Sequence, residues 1–181
     1  SNIKVEVISG TLGFTYTGPV QMGQANTVMN VVYDTGSDWL AIEGSECTTC
    51  EGDKFNGSGG TKTNSVLTTR SYGSAQLTGY AYKDRVCIAN TNCLPDFEYY
   101  LIASQIGVGG YKGLSEPVDG ILGMARNKNS PTLNYAIGPL IVTKLKDAGL
   151  TQYNVFAFYL NKPGATSFID FNGYNAANVK G

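Results

Sequence analysis

An apolar run that leads directly into a glycine turn is the feature that most constrains what this chain can fold into. Residues 28–33 are apolar apart from Asn30, as expected of a strand that is buried on both faces. The run ends at Asp34-Thr35-Gly36-Ser37, and residues 39–42 are apolar again. Asp and Gly are common turn residues, so a surface turn is one interpretation of Asp34. The flanking apolar segments favour another, a carboxylate held between core segments by hydrogen-bond donors from the residues that follow it.

The rest of the chain favours β-strands and turns. Gly (23 residues) and Tyr (12) are abundant, whereas charged residues make up only 15% of the sequence. Residues 3–7 alternate apolar and polar, and residues 69–82 predict a long β-hairpin with its tip at 73–76. Only residues 139–148 have helical spacing, with Gly149 at the C′ position. Further strands are expected within 12–33 and at 85–88, 99–104, 155–160 and 167–171. We therefore predict an all-β fold in one domain, residues 1–181, with one or two short outer helices.

The sequence contains no histidine, which excludes several classes of catalytic site. Ser-His-Asp and Cys-His catalysis and the two-His zinc motifs of metalloproteases all require one. Acid–base chemistry must therefore come from carboxylates, Lys, Tyr or Cys, and no cofactor is expected. The net charge of −1, without a basic run, argues against nucleic acid as a partner. No apolar segment approaches the roughly 18 residues that a membrane span requires, so no membrane association is expected.

The four cysteines form two close pairs, Cys47 with Cys50 and Cys87 with Cys93. A zinc site is the competing interpretation, because C-x2-C is a knuckle spacing, but the second pair is spaced differently and no histidine supplements it. Among the three possible connectivities we expect two local disulfides, Cys47–Cys50 and Cys87–Cys93, and no metal. Disulfides indicate an oxidising compartment, so we expect a secreted, lysosomal or vacuolar protein. The sequon at Asn56, in an expected exposed loop at 51–65, predicts N-glycosylation.

Three further segments with recognisable motifs follow the Asp34 turn along the chain. They are Tyr72-Gly73-Ser74 with Leu77-Thr78-Gly79, then Pro117-Val118-Asp119-Gly120-Ile121-Leu122-Gly123, and finally residues 145–150 with 155–160. In this order the segments resemble the N-terminal lobe of a pepsin-like aspartic protease, and the resemblance covers essentially the whole chain. Each segment alone is a weak signal, whereas four in the family's order are specific. The resemblance implies the N-terminal lobe of a bilobal pepsin-like β-barrel fold.

The resemblance also implies a role for each segment. Asp34 is the expected catalytic carboxylate, which would activate a water together with a second Asp, the pair holding one proton. The residues that support its loop are Thr35, Gly36 and Ser37. The flap residues, on a mobile hairpin that closes over a peptide, are Tyr72, Gly73 and Ser74. The ψ-shaped loop that supports the catalytic turn contains Asp119, Gly120, Leu122 and Gly123. The candidate walls of the substrate cleft are Val32, Tyr33 and Ile121, and for each of them a place in the ordinary core is the alternative.

A second Asp-Thr-Gly or Asp-Ser-Gly motif does not occur in this chain. One lobe cannot supply two apposed aspartates, so the expected partner is a C-terminal-lobe chain that carries the second catalytic Asp. The expected substrates are peptides or proteins. A symmetric homodimer, with one Asp34 from each copy, is a second hypothesis. A third is a catalytically inactive pepsin-like protein that acts as a binding protein or inhibitor.

Four positions near the catalytic turn and the flap depart from the family's pattern. Most pepsin-like enzymes have a Trp after the turn that can hydrogen-bond the flap tyrosine, but here the gapless match places Ala41 there and the only Trp is Trp39. Ala75 occupies the flap tip where Gly is usual, which predicts a stiffer or reshaped tip. Asp38 adds a negative charge next to the motif, and we expect its side chain to point outward. These departures concern substrate preference and flap motion.

Overall fold

The computed structural model describes residues 2–10, 15–114, 118–126, 138–162 and 164–179. Pro117 of the predicted supporting segment lies outside the described residues. Within them the strands are β1 Ile3–Ser9, β2 Tyr16–Met22, β3 Thr27–Asp34, β4 Leu40–Glu43, β5 Thr61–Lys62, β6 Thr68–Ser71, β7 Ala75–Ile88, β8 Asn92–Gly107, β9 Gly120–Gly123, β10 Phe156–Tyr159 and β11 Ser167–Phe171. One α-helix, α1 Ile141–Asp147, and two 3-10 helices, Gly57–Gly59 and Ala176–Asn178, complete the regular structure of the described part.

The strands form one mixed sheet in the order β10-β11-β1-β2-β3-β9-β4-β8-β7-β5, with β6 paired to β7. Strand β2 also pairs with β7, so β2, β3, β9, β4, β8 and β7 close into a barrel-like ring. The pairs β3–β9 and β4–β8 are parallel. The predicted all-β fold with few short helices is confirmed. Among the described residues, no helix has the length and apolar character needed to cross a membrane.

The strongest local patterns give the elements that the sequence predicted. Strand β1 buries its alternate apolar side chains and exposes the polar ones between them. Helix α1 buries Ile141 and Leu145 on one face. Gly149 follows the helix with a φ of +72°, the left-handed conformation expected at the C′ position. Strand β11 spans Ser167–Phe171, the range that its apolar pattern indicated.

Two predicted segments differ in the structure. Residues 85–88 are not a separate strand, because they end β7, which continues from the hairpin for 14 residues and pairs with β8. Residues 51–65 are not wholly an exposed loop. Phe55 within them is 5% exposed, and its backbone N–H donates to the Glu43 carbonyl (2.8 Å). One aromatic side chain holds this polar segment to the core, since burying Phe removes a large apolar area from water.

Strand β3 is buried on one face only, which corrects the prediction that both faces are buried. Val31 and Tyr33 belong to the larger hydrophobic core, whereas Val28 is 60% exposed and Val32 is half-buried. Successive side chains of a strand point to opposite faces, so Asp34 emerges on the same open face as Val32. The apolar residues of that face are therefore available to line a surface next to the carboxylate.

Candidate active site

Asp34 is the last residue of β3, and both oxygens of its carboxylate accept hydrogen bonds from the turn that follows. Gly36 N–H donates to Oδ1 (2.9 Å), and Ser37 Oγ donates to Oδ2 (2.6 Å). The Asp34 side chain is half-buried, while Thr35 and Gly36 are exposed. A Cβ atom at position 36 would lie 3.2 Å from Oδ1, closer than an ordinary contact, which favours glycine there. The carboxylate is therefore held in one orientation and faces the open side of the sheet.

Strand β9 fixes the backbone on both sides of this turn. It runs parallel to β3, with Gly123 in register with Asp34. Met124 N–H donates to the Asp34 carbonyl (2.7 Å), and Gly123 N–H donates to the Trp39 carbonyl (2.6 Å). A Cβ atom at Gly123 would lie 2.3 Å from the carbonyl carbon of Asp38, so only glycine permits this approach. The predicted supporting segment thus contacts the turn directly.

The other residues of β9 join the turn to the core. A Cβ atom at Gly120 would lie 2.0 Å from the Ala41 carbonyl oxygen, so this glycine lets β9 pack against β4. Leu122 is fully buried and pairs in register with Tyr33 on one side and Leu40 on the other. The two strands that flank the Asp34 turn are therefore held together by β9.

Asp119 connects three parts of the chain through four hydrogen bonds. Its Oδ2 accepts from Asn30 N–H (2.6 Å), and its Oδ1 accepts from Asp53 N–H (2.8 Å). Its own N–H donates to the Asn30 carbonyl (2.8 Å), and its carbonyl accepts from Glu43 N–H (2.8 Å). The residue is 6% exposed, so these donors offset the cost of removing the carboxylate from water. Asp119 therefore links the middle of β3, the end of β4 and the loop that contains Asp53.

A second, smaller hydrophobic cluster lies on the open face of β3. Ile121 is 7% exposed and in register with Val32, and both Val32 and Tyr72 pack against this cluster. Tyr33 is not part of it. It is 5% exposed, lies in the larger core on the other face of β3, and donates from Oη to the Pro19 carbonyl (3.0 Å). Val32 and Ile121 thus lie together on the open face of β3, and their role as cleft walls stays a prediction, whereas Tyr33 lies in the larger core.

The predicted flap is a hairpin formed by β6 and the start of β7, and residues 68–79 are called the flap hairpin below. Tyr72 N–H donates to the Ala75 carbonyl (2.7 Å), so the tip spans 72–75, one residue earlier than predicted. A Cβ atom at Gly73 would meet no atom within 4 Å, which makes the tip open. The Ser74 carbonyl accepts a hydrogen bond from Val108 N–H, directly after β8 (2.8 Å). Ala75 is fully buried in the smaller cluster, so the tip is anchored on one side.

The charges of two carboxylates act on the Tyr72 phenol. Burial raises the pKa of Tyr72 above its ordinary value, and the charge of Asp38 raises it further. The Arg70 charge lowers the pKa, and Asp34 raises it by a smaller amount. The phenol therefore keeps its proton at acidic and neutral pH, so it can donate as well as accept a hydrogen bond.

Sequence reasoning missed how deeply the residues after the turn are embedded. Asp38 was expected to point outward, but it is half-buried and its Oδ2 accepts from Gly138 N–H (2.7 Å). Trp39 is 8% exposed, with the Arg70 guanidinium 4.1 Å from its ring centroid. A lone Trp inside an aliphatic run was the only signal for this arrangement, and nothing local pointed to Arg70.

A buried polar pair at the far end of β4 was also missed. Glu43 is 1% exposed and Gln105 4%. Glu43 Oε2 accepts from Gly52 N–H (2.8 Å), and Oε1 accepts from Gln105 Nε2 (3.2 Å). Burial raises the pKa of Glu43 to about 6, an effect that the Gly52 N–H partly offsets and the Asp119 charge increases. A charged residue that ends an apolar run is the sequence signal that could have found it.

Both predicted disulfides, Cys47–Cys50 and Cys87–Cys93, are present. Asn56 is exposed, and its Oδ1 accepts from Ser58 N–H (3.1 Å) at the start of the first 3-10 helix. Glycosylation of Asn56 stays a prediction. In the described part of the chain, no three acidic or cysteine side chains are grouped as a metal site requires.

Several curated proteins are similar to this chain along most of its length, among them the following three. Pregnancy-associated glycoprotein 1 of Ovis aries is 30% identical over 190 residues, which cover 100% of this chain and 47% of that protein. Vacuolar protease A of Aspergillus fumigatus is 27% identical over 183 residues, which cover 97% and 44%. Cathepsin D of Clupea harengus is 27% identical over 164 residues, which cover 87% and 39%. The chain thus spans less than half the length of these relatives. Because the eukaryotic aspartyl protease model matches residues 15–181, the resemblance inferred from the sequence is confirmed and the chain belongs to that family.

Proposed function

We propose that this chain is the N-terminal lobe of an aspartic endopeptidase, and that Asp34 is one of two carboxylates that share its catalytic site. The second carboxylate comes from a C-terminal lobe. The observation that carries the proposal is the Asp34 carboxylate, which has both oxygens oriented by its own turn and faces an open side of the sheet. The presence of a second lobe is supported by relatives that are more than twice as long as the matched segment.

The two carboxylates hold one proton between them, because two like charges in one site cannot both ionise cheaply. The ionised carboxylate removes a proton from a bound water, whose oxygen attacks the scissile carbonyl carbon. The protonated partner donates its proton to the carbonyl oxygen. Ser37 Oγ and Gly36 N–H orient the Asp34 carboxylate for this reaction, since both donate to its oxygens. The exposed Thr35 hydroxyl is available to bond the loop of the opposite lobe.

Peptides or proteins are the proposed substrates. Val32 and Ile121 form an apolar surface on the face from which Asp34 emerges, and Tyr72 of the flap hairpin packs against the same cluster. A peptide laid across this surface would be enclosed between the hairpin and the carboxylates. Enclosure excludes bulk water and holds the scissile bond next to the attacking water.

The protein is secreted or resides in a lysosome or vacuole. The two disulfides support an oxidising compartment. A vacuolar location is also part of the name of one relative. The acidic lumen of such a compartment suits a site whose carboxylate pair must keep one proton.

Hydrolysis of a peptide by the full two-lobe protein, between about pH 3 and pH 6, tests the proposal. Asp34→Asn is expected to abolish hydrolysis, because an amide cannot act as the base. Asp96→Asn is the matched control, since the Asp96 side chain is 72% exposed and is expected to leave activity unchanged. A statine-containing peptide, whose hydroxyl takes the place of the attacking water, is expected to inhibit the wild type.

Three outcomes would contradict the proposal. Full activity of Asp34→Asn would remove Asp34 from the chemistry. Peptide binding without hydrolysis by the wild-type two-lobe protein would support an inactive binding protein. Activity of this chain alone, at the sedimentation mass of two copies, would support a symmetric homodimer.

A further inference from the structure

Three side chains from different strands stack together and join the flap hairpin to the segment after Asp34. Arg70, on β6, places the centre of its guanidinium 4.1 Å from the Trp39 ring centroid and 4.8 Å from the Tyr100 ring centroid. The Trp39 and Tyr100 rings meet edge to face, with centroids 6.2 Å apart and planes at 67°. Arg70, Trp39 and Tyr100 are called the Arg70 stack below.

Tyr100 attaches this stack to both strands of the flap hairpin. Its Oη donates to the Thr68 carbonyl on β6 and lies 3.3 Å from the Leu77 carbonyl on β7. Tyr100 is fully buried and Trp39 is 8% exposed, so both rings are shielded from water. A cation that lies over an aromatic face is held more strongly when the pair is desolvated.

Trp39 has a backbone conformation that its neighbours must maintain. Its φ is +66°, in the left-handed region that residues other than glycine rarely adopt. Its carbonyl accepts from Gly123 N–H (2.6 Å), which fixes one side of the residue to β9. A backbone conformation of this kind costs free energy and persists only where the contacts around it hold it in place. Such residues are concentrated at functional sites. The Arg70 guanidinium supplies such a contact on the ring.

Stacking, rather than hydrogen bonding, joins these side chains. Both Trp39 Nε1 and Arg70 Nε are buried, and neither has a hydrogen-bond partner among the residues that the structure describes. The indole therefore makes no hydrogen bond to Tyr72. The position that matches the usual flap-bonding Trp is Ala41, which is fully buried in the smaller cluster.

We infer that the Arg70 stack positions the flap hairpin, with cation–π stacking of Arg70 on Trp39 in place of a Trp–Tyr hydrogen bond. Arg70 precedes Tyr72 by two residues, so fixing its guanidinium on Trp39 restrains the tyrosine at the tip of the hairpin, where it packs against the smaller cluster. Arg70 is a positioning residue, because it acts on substrate through the hairpin. The part of this inference that concerns substrate rests on the proposed function, whereas the positioning of the hairpin does not.

Amide hydrogen exchange of the full two-lobe protein, followed by mass spectrometry over residues 68–82, tests the positioning. Arg70→Met is expected to raise exchange in the flap hairpin about tenfold, the factor that corresponds to about 1.4 kcal/mol. Arg70→Lys keeps the charge but loses the planar group that stacks, and is expected to give an intermediate increase. Lys62→Met is the matched control, because Lys62, on β5, forms a comparable cation–π pair with Tyr80 of β7 (3.4 Å to the ring centroid) outside the flap hairpin.

A second pair of variants makes the exchange result specific. In a Trp39→Leu background, Arg70→Met is expected to add a much smaller increase than in the wild type, since only the contact of Arg70 with Tyr100 is left to lose. Exchange in Arg70→Met within about twofold of the wild type, or equal increases in Arg70→Met and Lys62→Met, would overturn the inference. Because exchange requires no turnover, this result stands even if the protein hydrolyses no peptide.

Steady-state kinetics separate positioning from general destabilisation. The apparent affinity for peptide is proportional to the fraction of time for which the hairpin is held in its binding position. Arg70→Met is therefore expected to raise KM, by at most about the tenfold change seen in exchange, while kcat changes by less than about twofold. Increased exchange with unchanged KM would show that the stack holds the hairpin but does not serve substrate binding. Absence of hydrolysis by the wild type would contradict the proposed function alone.

Discussion

Replacing Glu43 by Gln is expected to change how the stability of this protein depends on pH. Glu43 is 1% exposed, and its carboxylate is bonded by Gly52 N–H and by Gln105 Nε2. These two donors do not fully compensate for the loss of water, because burial raises the pKa of Glu43 from 4.5 to about 6. The Asp119 carboxylate adds to the shift, and Lys54 opposes it.

The sign and size of the effect follow from this pKa. The folded chain binds the Glu43 proton more tightly than the unfolded chain does, so stability falls with rising pH wherever only the folded chain keeps that proton. The stabilising contribution of protonated Glu43 is complete below about pH 4.5 and is lost as the pH rises through about 6. Because one pKa unit corresponds to about 1.4 kcal/mol, the loss between pH 4 and pH 7 is roughly 2 kcal/mol.

Urea-induced unfolding at several values between pH 4 and pH 7.5 measures this contribution. The free energy of unfolding of Glu43→Gln, relative to wild type, is expected to increase by roughly 2 kcal/mol from the acid to the neutral end. Any hydrogen bond lost in the variant lowers its stability at acid and at neutral pH alike, so this loss cancels when the two pH values are compared. Glu46→Gln, at an exposed neighbouring position, controls for the removal of one negative charge. Parallel pH profiles for wild type and Glu43→Gln would show that the folded and unfolded chains bind the Glu43 proton equally well, contrary to this prediction.

Three further predictions concern the turn, its support and the glycosylation site. Ser37→Ala removes the 2.6 Å hydrogen bond to Asp34 and is expected to lower kcat/KM by about 10- to 100-fold, measured by peptide hydrolysis. Gly123→Ala would place a Cβ atom 2.3 Å from the turn backbone and is expected to lower the free energy of unfolding, measured with urea, by about 1–3 kcal/mol or more. Gly73→Ala is the control and is expected to have little effect, because its Cβ atom would meet no atom within 4 Å. When this chain is secreted from eukaryotic cells, it is expected to lose mass on treatment with an N-glycosidase. Its Asn56→Gln variant is expected to show no such loss.

The parts of the fold that depend on local pattern were predictable from the sequence. Strand β11 and the left-handed Gly149 follow from alternation and from the ordinary end of a helix. Asp34 was identified from its apolar flanks and from the segments after it. Hydrogen bonds from Gly36 and Ser37 to that carboxylate agree with the donors that the sequence placed there.

The parts that were missed depend on contacts between distant residues. Glu43 is buried because Gln105, 62 residues away, reaches it across the sheet. Val32 and Tyr33 are apolar neighbours in one strand, so they point to opposite faces of the sheet, and which face packs against the larger core is decided by distant strands. Arg70 stacks on Trp39 because β6 folds back over the segment after the turn. No pattern within either segment encodes that approach.

Peptide hydrolysis at acidic pH, measured for this chain alone and for the full two-lobe protein, shows whether one lobe is enough for catalysis. The central claim is that Asp34 forms half of a catalytic site. It therefore predicts no turnover by this chain alone, turnover by the full protein, and loss of that turnover in Asp34→Asn. Turnover by this chain alone, or by the full protein carrying Asp34→Asn, would contradict the claim.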